Sequence, residues 1–240
     1  MLRKFRITLG FLTILPVSPG PLDPQELYDA VYYFPIVGGL CGLVTWGALN
    51  LFYRIFSDGH IAAWFTVFLI ALLNGFIHMD GLADTADGFG SAEPAKSLVI
   101  MKDSRLGTFG GAAICLFIVG KIFALSKLTA CPFGFFMAAS SLSRWVMAMQ
   151  IYTLPSVSQG ILKDFCVKGA KTGVFISSVL LVCMLVFSGW PGFLLWITGI
   201  SAFIFLNKLI KWKFGGITGD ILGASNELVE LICYMVLVLI

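Results

Sequence analysis

Three aspartates and a histidine stand close together in "HMDGLADTADGFG", residues 78–90. Asp80, Asp84 and Asp87 are spaced i, i+4 and i+7, which places them on one face of a helix. Carboxylates crowded on one face repel one another unless a cation lies among them. Their oxygens suit a hard ion such as Mg²⁺ or Mn²⁺. The spacing therefore favours a metal site over a solvated acidic loop or a set of helix caps.

The residues beside these aspartates suit a phosphorylated ligand. Gly81, Gly88 and Gly90 let phosphate oxygens approach the backbone closely. His78 can be a ligand, a base or a hydrogen-bonding residue at the membrane edge, and the last role is the usual one for a lone histidine. His78 is kept as a candidate substrate contact.

Two further polar segments can contribute to the same site. The first, "MKDSRLGTFGG" at 101–111, offers cations for a phosphate and oxygens for a metal. The second, "GGITGDILGASNELVE" at 215–230, brings acidic residues into apolar sequence. Plainer explanations exist for both, since cations anchor membrane topology and glutamate is favoured at a helix start. The candidates are Lys102, Asp103, Ser104, Arg105, Thr108, Asp220, Asn226, Glu227 and Glu230.

The rest of the chain is too apolar for a soluble domain. Of 240 residues 58% are hydrophobic and 12% charged, and the mean hydropathy is +0.94. Because backbone groups in lipid must be satisfied within each segment, we expect an all-α integral membrane protein, a bundle of about seven transmembrane helices forming a single domain, 1–240. The predicted spans are 31–53, 61–77, 107–125, 133–153, 173–188, 192–207 and 228–240.

The distribution of Lys and Arg predicts the orientation of these helices. Twelve of the sixteen cationic residues fall on one side of the predicted spans, as is typical of cytoplasmic loops. This bias explains the net charge of +3 without any nucleic acid. We therefore expect a cytoplasmic N-terminus, an interfacial or re-entrant segment at 1–30, and cytoplasmic loops at 78–106 and 208–227 that form the site.

Arg144, in "SSLSRWVMAMQ", lies inside a predicted span. A cation at this depth must be paired or face a polar cavity, because an isolated charge in lipid is costly. A structural ion pair and a substrate contact explain it equally well.

The stretch "IVGGLCGLVTWG" is rich in glycine, which permits close contact between helices. The contact can lie within one chain or between the chains of a homo-oligomer, and the sequence leaves both open.

The quoted segments resemble one known family. With "FLTILPV", "YYFPIVGGLCG" and "SRW", they are similar to the adenosylcobinamide-GDP ribazoletransferases, also called cobalamin 5'-phosphate synthases. The resemblance covers nearly the whole chain. It implies a Mg²⁺-dependent transferase of cobalamin biosynthesis in the cytoplasmic (inner) membrane of a bacterium or archaeon. Its substrates would be adenosylcobinamide-GDP and α-ribazole, or α-ribazole 5'-phosphate, and GMP would be released.

The resemblance also implies roles for the candidate residues. A ribose hydroxyl would attack a diphosphate, with Asp80, Asp84 and Asp87 as metal ligands. Asp84 and Asp103 are the expected catalytic residues, with Asp103 a further ligand or the base. The expected substrate contacts are Lys102 and Arg105 as a diphosphate clamp, and Ser104, Thr108, His78, Arg144, Asp220 and Glu227.

Two other functions stay open at this stage. A CDP-alcohol phosphotransferase also uses clustered membrane aspartates, but its pattern needs an arginine where "DGLADTADG" has Asp84. A cation transporter would place carboxylates near the membrane midplane, whereas the predicted spans hold few acids.

Overall fold

The computed structural model describes residues 2–17, 20, 24–157, 170–186 and 188–240. These residues form helices joined by short connections, and no strand occurs among them apart from one isolated bridge between Ser156 and Ile217. The expected all-α fold is confirmed. The helices are α1 (Leu2–Leu12), α2 (Pro24–Ala30), a 3-10 turn (Val31–Tyr33), α3 (Phe34–Phe56), α4 (Gly59–Leu73), α5 (Ile77–Phe89), α6 (Pro94–Ile100), α7 (Thr108–Lys127), α8 (Phe133–Thr153), α9 (Ala170–Val186), α10 (Trp190–Phe214) and α11 (Gly219–Val238).

Four helical stretches of the described chain are long and apolar enough to cross a membrane. They are Tyr28–Phe56, Thr108–Lys127, Trp190–Phe214 and Gly219–Val238. The pair α4 and α5, bent by 92° at its break, adds at most a fifth span. The polytopic membrane fold is therefore confirmed, but the count of seven spans is not.

Helix α8 lies at the centre of the bundle. It has the predicted bounds, and its buried residues run along almost its whole length because α3, α9, α10 and α11 surround it. Its serines and Arg144 make it more polar than a helix that faces lipid. The neighbouring helices shield these groups from the bilayer.

The glycine-rich stretch of α3 packs against α8 within the same chain. A Cβ atom at Gly38 would collide with the Ser140 carbonyl, and one at Gly42 with the Phe136 carbonyl. The two backbones lie this close only because both positions lack a side chain. Contact within one chain thus accounts for the pattern.

The predicted span 61–77 is broken near its end. Helix α4 ends at Leu73, and Gly75 and Phe76 both have positive φ, 61° and 58°. The chain then turns sharply and begins α5. At 13 residues α5 is too short to cross a bilayer alone, and its part from Gly81 to Asp87 lies beside the first turns of α7 and α11.

Two segments expected as loops are largely helical. Residues 78–106 contain most of α5 and all of α6, while 208–227 contain the end of α10 and the start of α11. Helix α11 starts at Gly219, well before the predicted start of the last span at residue 228. Both segments thus carry helices where loops were expected, and their placement on the cytoplasmic side stays a prediction.

The N-terminal helix α1 packs on the bundle through Ile7, Thr8 and Leu12. The Thr8 hydroxyl donates a hydrogen bond to the Ala30 carbonyl, 2.5 Å away. The Ile14 amide donates to the Leu73 carbonyl at the end of α4, 2.8 Å away. The segment after α1 thus reaches the α4–α5 break, while the interfacial or re-entrant placement of 1–30 stays a prediction.

Candidate active site

The three polar segments meet at one end of the bundle. Helix α5 runs against the start of α11, where a Cβ at Gly81 would lie 2.6 Å from the Asp220 carbonyl oxygen. At its other end α5 meets the start of α7, through Asp87. Since the N-terminus of a helix carries partial positive charge, the starts of α7 and α11 favour anionic groups here.

Asp84 is the most perturbed carboxylate of this acidic cluster, which comprises Asp80, Asp84, Asp87 and Asp220. Its side chain is partly buried. Burial first, and then the charges of Asp80, Asp220 and Asp87, raise the pKa of Asp84 to about 6. Asp84 is thus held near other carboxylates, an arrangement that a bound cation would stabilise.

Asp87 tethers α5 to α7. One of its carboxylate oxygens accepts a hydrogen bond from the Gly107 amide and the other from the Gly110 amide, both at 2.8 Å. These are amides of the first turn of α7, which have no partner within the helix. The role of Asp87 as a metal ligand stays a prediction, but both of its carboxylate oxygens already bind the start of α7.

Asp80 and Asp220 complete the cluster from opposite helices. Asp80 is exposed, and Asp220 is partly buried in the first turn of α11. Thr218 caps that helix by accepting a hydrogen bond from the Ile221 amide at 3.2 Å. The cap fixes the direction in which α11 begins and so the place of Asp220.

The donor chemistry of the cluster fits Mg²⁺. In the described part of the chain no three His, Cys, Asp or Glu side chains converge closely enough to hold a metal by themselves. Mg²⁺ usually keeps several waters and is bound by one or two carboxylates together with substrate phosphates. Asp84 with Asp80 or Asp220 satisfies that requirement.

Asp103 is poorly placed to act as a base. Its carboxylate accepts hydrogen bonds from the Arg105 side chain, Nε to Oδ1 at 3.0 Å and Nη2 to Oδ2 at 2.6 Å. These bonds and that of the Arg105 amide lower the pKa of Asp103 to about 2. A carboxylate with so low a pKa is a weak proton acceptor near neutral pH.

The other candidates on the loop between α6 and α7 are open to solvent. Lys102, Ser104, Arg105 and Thr108 are all exposed, and the loop ends at Gly107, whose amide binds Asp87. The structure therefore places the end of this loop beside Asp87 and leaves these side chains accessible to an anionic ligand. Their roles as substrate contacts stay predictions.

Arg144 and Glu227 lie in a separate buried ion network. Arg144 Nη1 is 2.6 Å from Glu230 Oε1, and Lys121 Nζ is 2.5 Å from Glu230 Oε2 and 3.1 Å from Glu227 Oε2. The Ser140 hydroxyl donates to Glu230 at 2.5 Å. The charges of the two cations and the two anions in this network cancel. A structural ion pair thus describes Arg144 better than a substrate contact does.

Lys121 is the member of this network that sequence reasoning did not select. Lys121 falls near the end of the predicted span 107–125, where a lysine can reach water. In the structure it is buried within α7, 4% exposed, and joins α7 to α11. A lysine inside an apolar run should have indicated an acidic partner in another helix.

His78 faces this network, not solvent. It is buried, and its Nε2 atom has no hydrogen-bond partner. A small cavity beside it, with room for about one water molecule, is also lined by Asn74, Lys121 and Glu227. The role of His78 as a substrate contact stays a prediction.

Sequence comparison decides the family. The family model described as cobalamin-5-phosphate synthase matches residues 4–238. The chain belongs to the cobalamin-5-phosphate synthase family.

Relatives of this family match along almost their whole length. An adenosylcobinamide-GDP ribazoletransferase of Thermodesulfovibrio yellowstonii is 33% identical, covering 98% of this chain and 96% of the relative. Proteins of the same name from Escherichia coli and Vibrio cholerae are each 34% identical; the alignments cover 99% and 98% of this chain, and 100% and 93% of the relatives. No solved structure matches this chain.

Proposed function

We propose that this member of the cobalamin-5-phosphate synthase family is an adenosylcobinamide-GDP ribazoletransferase. It joins adenosylcobinamide-GDP to α-ribazole, or to α-ribazole 5'-phosphate, and releases GMP. The observation that carries the proposal is the acidic cluster of Asp80, Asp84, Asp87 and Asp220, gathered at one end of a membrane bundle whose relatives carry that name. An acidic cluster that can hold a divalent cation suits the attack of a hydroxyl group on a diphosphate.

Mg²⁺ is the cofactor we propose for this cluster, with Asp84 as its central ligand and Asp80 and Asp220 as the nearest additional donors. Bound there, Mg²⁺ would neutralise the diphosphate and stabilise the leaving phosphate. Oxygen donors, negative charge and access from solvent all support this assignment.

The chain itself orients the reactants around this cluster. Lys102 and Arg105, on the exposed loop beside Asp87, attract the diphosphate, and Arg105 binds it through the guanidinium N–H donors that Asp103 does not occupy. The ribose hydroxyl loses its proton to a carboxylate of the cluster, which is better suited than Asp103 because of that residue's low pKa. Asp87 keeps α5 and α7 in register during the reaction.

The direct test is conversion of the two substrates by the purified protein in lipid vesicles. With adenosylcobinamide-GDP, α-ribazole and Mg²⁺ present, equal amounts of GMP and a cobalamin product should form, and a chelator should stop both. The same vesicles loaded with a metal-sensitive dye test the transporter alternative. Metal uptake without GMP release would overturn the proposal, and CDP-alcohol turnover would favour the other phosphotransferase.

We also propose that the acidic cluster faces the cytoplasm from the inner membrane. The excess of Lys and Arg on that side of the bundle supports this orientation. A membrane-impermeant thiol reagent should label Ser104→Cys only after the membrane is opened, and Ser57→Cys, on the opposite side, without opening. The reverse result would invert the topology.

A further inference from the structure

A cleft opens next to the acidic cluster, between the end of α10 and the connection from α5 to α6. Its volume is about 610 Å³, which is in the range of small-molecule sites. Its walls are Trp212 and Lys213 on one side, and Phe89, residues 90–92 and Pro94 on the other. None of these residues belongs to the acidic cluster.

The two aromatic side chains of the cleft, Phe89 and Trp212, differ in their packing. Phe89 packs edge-on against Phe214, with ring centres 5.1 Å apart, and the Lys213 ammonium lies 5.5 Å from its ring centre. Trp212, in contrast, is 75% exposed. One wall is therefore fixed, and the other presents a large, open indole face.

Lys213 is a buried, hydrogen-bonded part of the cleft wall. It is only 6% exposed, and its ammonium donates hydrogen bonds to the carbonyls of Phe89 and Ser91. These bonds fix the turn after α5 against the end of α10. A lysine has three N–H donors, so one remains for a ligand in addition to the two that hold the turn.

The cleft adjoins the end of α5 that carries Asp87. Phe89 follows Asp87 by two residues, and the Gly90 amide donates a hydrogen bond to the Asp87 carbonyl at 2.9 Å. Two helical residues span only about 3 Å along the axis. A ligand whose phosphates lie at the cluster can therefore place a flat ring in the cleft.

We propose that this cleft binds the nucleotide end of the diphosphate substrate, with the purine ring stacked on Trp212 and Lys213 contributing positive charge. The proposal rests on the proposed function, since that reaction supplies a guanosine diphosphate group. The activated substrate carries its base and its reacting diphosphate in one molecule, as the short distance along α5 between the cleft and Asp87 requires. Aromatic side chains bind bases by stacking, with a substantial share of the affinity.

The test compares Trp212→Ala and Trp212→Phe with Trp190→Ala, an exposed tryptophan at the other end of the same helix. Two quantities are measured: GDP binding by calorimetry without turnover, and KM for each substrate. Trp212→Ala should weaken GDP binding and raise KM for adenosylcobinamide-GDP, each by about ten-fold. Trp212→Phe should retain most of the affinity, and KM for α-ribazole should not change.

The outcomes separate the subsite from the reaction. If Trp212→Ala leaves GDP binding unchanged and lowers only stability in lipid, Trp212 is an interfacial anchor and the proposal fails. If only KM for α-ribazole rises, the cleft holds the other substrate and the proposal also fails. If the wild-type protein binds GDP through Trp212 yet releases no GMP, the subsite stands and the proposed function fails.

Discussion

Asp84 and Asp87 are one helical turn apart and have opposite surroundings. Asp87 receives two backbone amides, whereas Asp84 is near other carboxylates in a partly buried position. Their i, i+3 spacing predicted a shared face correctly. The spacing could not reveal that one of the two residues is neutralised by the start of another helix, 20 or more positions along the chain.

Replacing Asp84 should stabilise the metal-free protein at neutral pH. Its pKa of about 6 lies above the unfolded value, so the charged form destabilises the fold above pH 6, and this penalty disappears toward pH 4. Asp84→Asn should therefore raise the free energy of unfolding by about 1 kcal/mol at pH 8, after allowing for solvent screening, and should leave it unchanged near pH 4. Thermal unfolding in detergent with a chelator measures this.

The matched control is Asp58→Asn. Asp58 is an exposed cap of α4, where asparagine caps as well as aspartate does. Asp58→Asn should change the free energy of unfolding little at either pH. A gain of stability at pH 4 equal to that at pH 8 would show that the charge of Asp84 is not responsible.

Replacing Asp87 should have the opposite effect on stability. Asp87→Asn removes a charged acceptor from the first turn of α7 and leaves one amide without its carboxylate oxygen, a loss of about 1 kcal/mol. The Mg²⁺ concentration needed for half-maximal GMP release should stay within a few-fold. Unchanged unfolding together with a large rise in that concentration would make Asp87 a metal ligand instead.

At the scale of the helices, the site depends on contacts buried deeper in the bundle. The ion network of Lys121, Arg144, Glu227 and Glu230 joins α7, α8 and α11, two of which begin or pass beside the acidic cluster. Glu230 is its hub because it binds both cations. The network fixes the helices whose first turns carry Asp220 and receive Asp87.

Removing the charge of Glu230 should be strongly destabilising. Glu230→Gln leaves Lys121 and Arg144 with one carboxylate between them in a buried site, which should cost about 3–5 kcal/mol. Adding Arg144→Met should recover part of this loss, because the remaining Lys121 and Glu227 balance. Thermal unfolding of the single and double variants measures these changes in stability. If the losses of stability from the two substitutions simply add in the double variant, Arg144 and Glu230 are not coupled as the network requires.

The close packing of α3 on α8 makes a second prediction at this scale. Gly42→Ala places a Cβ against the Phe136 carbonyl and should separate the helices, lowering the unfolding temperature. Gly47→Ala, in the same helix with open space around its Cβ position, should stabilise by up to about 1 kcal/mol. Equal effects of the two substitutions would show that the α3–α8 contact is unimportant.

Over the whole molecule, the sequence predicted the fold class and the common location of the polar segments. Apolar runs bounded by charged residues predicted the bounds of α7 and α8 closely, because a segment that crosses a bilayer must be apolar over its whole length. The α4–α5 break was missed although Asn74 and Gly75 form a typical turn pair. Lys121 and Glu230 were missed as partners because pairing between distant helices has no local signal.

The acidic cluster links these scales, since its aspartates meet only when α5, α7 and α11 are in place. The most direct test of the account is a Mg²⁺ titration of GMP release at saturating substrates, for the wild type, Asp84→Asn and the Asp58→Asn control. The wild type and the control should show saturable release that a chelator abolishes, while Asp84→Asn should be slower by about 100-fold or more at every Mg²⁺ concentration. Release by Asp84→Asn at the wild-type rate, or release by the wild type without divalent metal, would contradict it.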